Sequence, residues 1–235
     1  MNIALIVAAG SGTRMENANQ PKQFLPVCGK PLLIYTIAAF QNHNEIDEIV
    51  VVTNDSYINQ VQDWVKEYQL EKVKMVVEGG NTRQASVYNG LKAIEKLVSS
   101  KDDIILIHDA ARPLVSQKII SNNISMCQQF GAVDTVIKSR DTIIKSNDNA
   151  SINDILNRDE IYQTQTPQTF KYSIIRDAHE KALLNNIPNV TDDARLVLSL
   201  GIDVHLVDGS VNNFKVTTQD DLKMFEALLK INQEN

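Results

Sequence analysis

Two glycine-bearing turns and a set of dispersed cations carry the chemistry open to this chain. Ala9-Gly10-Ser11-Gly12-Thr13-Arg14 follows the apolar run Leu5-Ile6-Val7-Ala8, and Lys22 comes soon after, in Pro21-Lys22-Gln23-Phe24. Glycines let a backbone approach a phosphate closely and take left-handed dihedrals. Arg14 and Lys22 beside such a turn suit phosphoryl or nucleotidyl transfer, in which charge spreads over non-bridging oxygens and catalysis is mainly positioning plus electrostatics. The plain alternative is a tight strand exit with both cations solvated. A dinucleotide fingerprint fails because Met15 stands where the third glycine belongs, and no Gly-Lys-Ser/Thr follows to make a Walker-type loop.

Further stretches extend the set. Glu78-Gly79-Gly80-Asn81 precedes a helical pattern with Ser86 one turn in, where a helix N-terminus favours anions or polar base edges. Ile107-His108-Asp109-Ala110 puts Asp109 at the C-terminal end of an apolar strand, where open α/β sheets bind ligands. A carboxylate there suits a metal or a substrate hydroxyl, or it caps the next segment. Arg158 and Thr166 come from NRDEIYQTQTPQTF, Thr191 and Asp192 from NVTDDARL, and Lys215 from NNFKVTTQDDL. Thr191 also reads as a helix N-cap, and Lys215 either points to water or is held for a purpose. The sequence has no Ser-His-Asp or Cys-His pairing, no HExxH and no Cys/His cluster with metal-ligand spacing.

The elements that position these residues alternate. Strands are expected at Ile3–Ala8, Glu48–Thr53, Val73–Val77, Asp103–His108 and Ala132–Ile137. Helices are expected at Pro31–Phe40, Tyr57–Tyr68 and Asn81–Val98, the last capped by Asn81 with Gln84 three residues on. This alternation implies an α/β fold with a mostly parallel twisted sheet and helices on both faces. The pattern breaks at about 138–157, where two short alternating runs flank a polar Ser-Asn-Asp-Asn-Ala-Ser turn, the mark of a protruding β-hairpin. Helices at Tyr172–Leu184 and from Thr191, strands at Val204–Val207 and Asn213–Val216, and a last helix from Thr218 follow. One domain over residues 1–235, with an arm, is the expected organisation.

The 235 residues carry a net charge of −6, so a bulk nucleic-acid binder with a basic face is not expected. The N-terminal apolar run is too short for a signal segment or a membrane span, which implies a cytoplasmic protein without a membrane partner. Cys28 and Cys127 have no paired spacing and read as free, buried thiols.

Taken together, AAGSGTRM, PKQF, GGNTRQASVYNGL, HDAARP, QTPQTF, TDDA and FKVTTQDDL resemble the cytidylyltransferases of sugar-alcohol phosphates, from the first strand to the last helix. The resemblance implies a Rossmann-like nucleotidyltransferase fold, CTP as donor and Mg²⁺ as cofactor. The acceptor phosphate attacks the α-phosphorus of CTP and pyrophosphate leaves. By the same resemblance, Ala8, Ala9, Gly10 and Gly12 hold CTP, and Gly79, Gly80 and Ser86 recognise cytosine and ribose. Arg14, Lys22 and Lys215 stabilise the pentacoordinate phosphorus. Asp109, Arg112, Thr166 and Thr191 fall on the acceptor side, with Asp109 also near the nucleotide and the metal. The hairpin becomes a dimerisation arm that carries Thr142 and Arg158 into the partner subunit's acceptor site. VAAGSGTRM, HDAARP and TDDA favour 2-C-methyl-D-erythritol 4-phosphate as acceptor, whereas GAVDTV, DTII and YQTQTPQTF point to D-ribitol 5-phosphate.

A non-catalytic binding module would not need Arg14, Lys22 and Lys215 together. A nicotinamide-dependent oxidoreductase would need an acidic residue at the end of the second strand, where Val52-Thr53-Asn54 stands instead. A sugar-1-phosphate nucleotidyltransferase is the nearer rival, with the same fold and reaction but another base and acceptor.

Overall fold

The computed structural model describes residues 1–10, 20–185, 187 and 190–234, the side chains of 232–234 excepted. Seven strands form one sheet in the order β11-β7-β10-β6-β1-β4-β5. They are β1 (Asn2–Val7), β4 (Glu48–Thr53), β5 (Val73–Glu78), β6 (Ile104–Asp109), β7 (Ala132–Lys138), β10 (Tyr162–Lys171) and β11 (His205–Asp208). Two small ladders stand apart, β2 (Pro26–Val27) with β3 (Lys30–Pro31) and β8 (Ile144–Lys145) with β9 (Asp154–Ile155). The helices are α1 (Leu32–Gln41), α2 (Ile58–Glu67), α3 (Arg83–Ile94), α4 (Gln117–Phe130), α5 (Tyr172–Leu184), α6 (Asp193–Leu198) and α7 (Gln219–Glu234).

Strands β1, β4 and β6 are short apolar runs because both of their faces are covered, as parallel strands require. On one face Leu33, Ile37 and Phe40 of α1 pack with Ile120 and Ile124 of α4 over Ala4, Ile6 and Leu106. On the other, Val87, Leu91 and Ile94 of α3 join Ile175 and Leu196 over Leu5, Val50 and Ile107. From β1 the chain runs out to β4 and β5, then returns to β6 on the opposite side of β1. The crevice beyond the C-terminal ends of β1, β4 and β6 is therefore where this topology places a ligand.

Strand β10 is antiparallel to both neighbours, and its register with β7 shifts between Thr164 and Gln168. The sequence reading did not place a strand here, nor a helix at α4. Both are polar for buried elements, and each supplies the other's partners. Asn123 of α4 is fully buried, takes a hydrogen bond from Thr169 of β10 and donates to Thr135 of β7.

Other boundaries move by a residue or two. Thr82, not Asn81, caps α3 by accepting from the Ala85 amide, and the helix ends at Ile94. Asp192, not Thr191, caps α6. Asn213–Val216, expected as a strand, pairs with no strand among the described residues. The Val216 amide donates to the Ala111 carbonyl instead, which helps tie the segment to the loop after β6. Cys127 is buried as expected, but Cys28 is exposed in the tight turn between β2 and β3, with φ +48°. No helix among the described residues is long and apolar enough to cross a membrane.

Candidate active site

A cleft of about 510 Å³ opens past the C-terminal ends of the parallel strands. Val7, Ala8, Ala9 and Gly10 form one wall, and Gly80 with Thr82, Arg83 and Ser86 form another. Asp109, Lys22 and Lys215 line it as well. Of the residues expected to bind nucleotide, Ala8, Ala9, Gly10, Gly80, Ser86 and Asp109 thus converge on one space. Arg14 and Gly12 lie outside the described residues.

The glycine turn is held from behind. Gln23 donates through Nε2 to the carbonyls of Ala8, at 2.6 Å, and Gly10, at 2.9 Å. Gly79 is small for a packing reason: a Cβ there would stand 2.4 Å from the Ala9 Cβ and 2.9 Å from the Ser86 Oγ. The two glycine loops touch at this point. Ser86 lines the cleft, but its hydroxyl serves the loop, accepting from the Gly80 amide at 3.0 Å and lying 2.8 Å from the Thr82 carbonyl. Its first task is to shape the second wall.

Asp109 is the electrostatic centre. Its Oδ2 lies 2.7 Å from Lys215 Nζ and 3.8 Å from Arg112 Nε, and its Oδ1 lies 3.5 Å from Arg83 Nε. Burial alone would push this carboxyl up. Lys215, Arg83 and Arg112 outweigh burial and hold it well below the usual carboxylate range. The Asp109 amide donates to Thr166 Oγ1 at 3.1 Å, and Thr166 Oγ1 lies 3.0 Å from His108 Nδ1. His108 Nε2 is 3.0 Å from the Arg112 carbonyl. A carbonyl only accepts, so His108 carries its proton on Nε2 and accepts a hydrogen bond from the Thr166 hydroxyl at Nδ1. Complete burial pushes His108 down to about 4, so it is a neutral strut and not an acid or base of the reaction. Arg112 is fixed by donating to the Asn213 carbonyl at 2.8 Å.

Among the described residues expected on the acceptor side, Asp109 alone lines the cleft; Arg112 and Thr166 contact Asp109 without lining it, and three others lie elsewhere. Thr142, Arg158 and Thr191 are exposed and do not line the cleft of their own chain. Thr142 and Arg158 flank the hairpin of β8 and β9, where Arg158 donates to the Arg140 carbonyl at 3.4 Å. Two residues the sequence reading missed stand out. Gln23 carries no chemistry of its own, so nothing marked it. Arg83 did leave a signal. It is a cation at the first position of a helix, where the dipole disfavours positive charge and a carboxylate partner is implied.

A mostly parallel sheet with a glycine-walled, cation-lined cleft past the C-terminal ends of its parallel strands defines a nucleotidyltransferase of the Rossmann-like α/β class. Comparison with known proteins makes the class specific. The family profile of 2-C-methyl-D-erythritol 4-phosphate cytidylyltransferase matches residues 2–231. The enzyme of that name from Clostridium novyi is 44% identical over 230 residues, 97% of this chain and 96% of the relative. That from Clostridium acetobutylicum is 46% identical over 234 residues, 99% of each. The crystal structure of 4-diphosphocytidyl-2C-methyl-D-erythritol synthase from Anaerococcus prevotii superposes with a TM-score of 0.83 at 31% identity, covering 98% of this chain and 96% of that one. The Thermus thermophilus 2-C-methyl-D-erythritol 4-phosphate cytidylyltransferase gives 0.77 at 32%, covering 96% and 98%. The chain belongs to the 2-C-methyl-D-erythritol 4-phosphate cytidylyltransferase family, and its activity is nucleotidyl transfer.

Proposed function

We propose that this chain transfers CMP from CTP to 2-C-methyl-D-erythritol 4-phosphate, releasing pyrophosphate and supplying isoprenoid precursor synthesis. The observation that carries this reading is the cleft, which Lys22, Lys215, Asp109 and the glycine turn line together. An acceptor phosphate oxygen attacks the α-phosphorus in line, and the bond to pyrophosphate breaks on the far side. The side chains do no covalent work. Lys22 and Lys215, with Arg14, neutralise charge that grows on the non-bridging oxygens, and the walls fix the angle of attack. Asp109 and Arg112, beside Thr166, mark the acceptor end. Relatives bearing this name over nearly their whole length support the methylerythritol acceptor over ribitol 5-phosphate.

The donor set fits Mg²⁺ rather than a protein-caged metal. Among the described residues no three His, Cys, Asp or Glu side chains cluster to hold an ion. Asp109 is the one carboxylate among the described residues lining the cleft. Mg²⁺ is commonly held by one or two carboxylates plus substrate phosphates and water, and Asp109 would supply the protein's share. Bound there, it would add positive charge at the triphosphate.

The arm supports a homodimer with shared sites. Ile144, Ile152 and Ile155 are exposed on a two-stranded hairpin that is marginal in water by itself. A second copy would cover it and receive Thr142 and Arg158 at its acceptor end. Base selection tests the nucleotide reading: pyrophosphate release in the presence of the acceptor should be fast with CTP and at least about 100-fold slower with ATP or GTP, whose bases are larger. Equal rates with all three would reject the cytosine assignment.

A further inference from the structure

We propose that Arg83 is a positioning residue: it keeps Asp109 fixed and compensated while Lys215 moves from that carboxylate to the substrate phosphates, and Asp193 and His179 hold it there from behind. This role rests on the reading of the cleft as a nucleoside triphosphate site.

The three cations around Asp109 are not equivalent. Lys215 leaves 40% of its side chain exposed, against 21% for Arg83 and 12% for Arg112. It sits on a segment outside regular secondary structure and ends a flexible four-carbon stem. Lys215 is therefore the cation free to turn towards a triphosphate. Arg83 is the opposite case. Its guanidinium spans two carboxylates, with NH1 2.5 Å from Asp193 Oδ2 and Nε 3.5 Å from Asp109 Oδ1.

The rear anchor is built to stay. Asp193 is 1% exposed and sits in the first turn of α6. Its Oδ1 accepts from His179 Nε2 at 3.0 Å, and its amide donates to Gln168 Oε1 at 3.1 Å. His179, also 1% exposed, lies parallel to the Tyr88 ring of α3, 6.2 Å between centroids. Arg83, Asp193 and His179 thus join α3, α6 and α5 behind the cleft wall.

The need for such a brace follows from charge. Until a Mg²⁺ ion reaches it, Asp109 is left buried and ionised when Lys215 turns to the phosphates, and an uncompensated buried carboxylate is strongly unfavourable. Arg112 alone, at 3.8 Å, is a distant partner. Arg83 supplies the compensation that Lys215 withdraws, provided its other end cannot move. Asp193 and His179 touch no substrate and act only through Arg83.

A double-mutant cycle on kcat tests this. Arg83→Gln, Asp193→Asn and the double variant are assayed for pyrophosphate release with CTP and 2-C-methyl-D-erythritol 4-phosphate, and each is melted to follow folding. Each single variant should lose about 10–100-fold in kcat with a much smaller change in the KM for CTP. The double variant should be no slower than Arg83→Gln, because Asp193 acts through that residue. His179→Gln, which keeps a donor to Asp193, should retain more kcat than His179→Leu; this pair decides the matter if Asp193→Asn does not fold. Additive losses in the cycle overturn the proposal, as does a destabilised His179→Leu with unchanged kcat. A wild-type chain that releases no pyrophosphate from CTP overturns the reading of the cleft itself.

Discussion

Lys215 Nζ lies 2.7 Å from Asp109 Oδ2, so the cation expected at the reacting phosphate is paired with the carboxylate expected on the acceptor side. If the proposed reaction runs here, this pairing keeps the lysine beside the place where charge develops. The Lys215→Met variant keeps the apolar stem and loses the charge. It should bind CTP within a few-fold of wild type but lose about 100–1,000-fold in kcat. Steady-state kinetics at saturating CTP checks this, and a variant with normal kcat and a raised KM alone would assign Lys215 to ground-state binding.

Asp134 gives the fold a pH dependence separate from the chemistry. It is a buried carboxyl on β7 that takes a hydrogen bond from Thr164 at 2.8 Å, and its Oδ1 has no hydrogen-bond donor within bonding geometry among the described residues. Burial pushes it up to about 7, and Asp192 adds to the shift against the lowering effect of Thr164. Between about pH 4 and pH 7 the folded chain holds this proton and the unfolded chain does not. Stability therefore falls as pH rises through that window, by at most about 1.4 kcal/mol per pH unit from this group. The Asp134→Asn variant should flatten the decline and melt higher than wild type at pH 8. Thermal melts from pH 5 to pH 8 measure it, and parallel curves for the two proteins would refute it.

The arm makes a separate claim. Ile144 and Ile155 face each other across the β8–β9 ladder, and both are about half exposed or more. Replacing both with lysine places like charges on the surface a second copy would cover. Sedimentation should show wild type as a dimer and the Ile144→Lys, Ile155→Lys variant as a monomer with little activity, since Thr142 and Arg158 would no longer reach a partner's cleft. A fully active wild-type monomer at micromolar concentration would contradict the shared site.

The parts of the molecule legible in the sequence are those whose pattern is local. Apolar runs such as Glu48–Thr53 became strands with the expected bounds, because a strand buried on both faces must be apolar throughout. Asp109 was legible because a carboxylate ending an apolar strand has few other reasons to be there. The turn at Gly79 and Gly80 was legible too, although the contact with Ala9 that demands glycine spans two loops distant in sequence. Strand β10 was not legible, since Gln165, Thr166, Gln168 and Thr169 read as loop until their partners on the loop after β11, β6, the cap of α6 and α4 are known. The Arg83–Asp193–His179 group was hidden for the same reason: its members are more than ninety positions apart at the ends and meet only in the folded chain.

The most direct test of the central claim is acceptor-dependent pyrophosphate release from CTP and Mg²⁺, with 2-C-methyl-D-erythritol 4-phosphate and D-ribitol 5-phosphate run side by side. Release that depends on the methylerythritol phosphate and is at least about tenfold slower with ribitol phosphate, a difference of about 1.4 kcal/mol in transition-state binding, is the predicted result. Preference for ribitol phosphate, or no release with either acceptor, would contradict it.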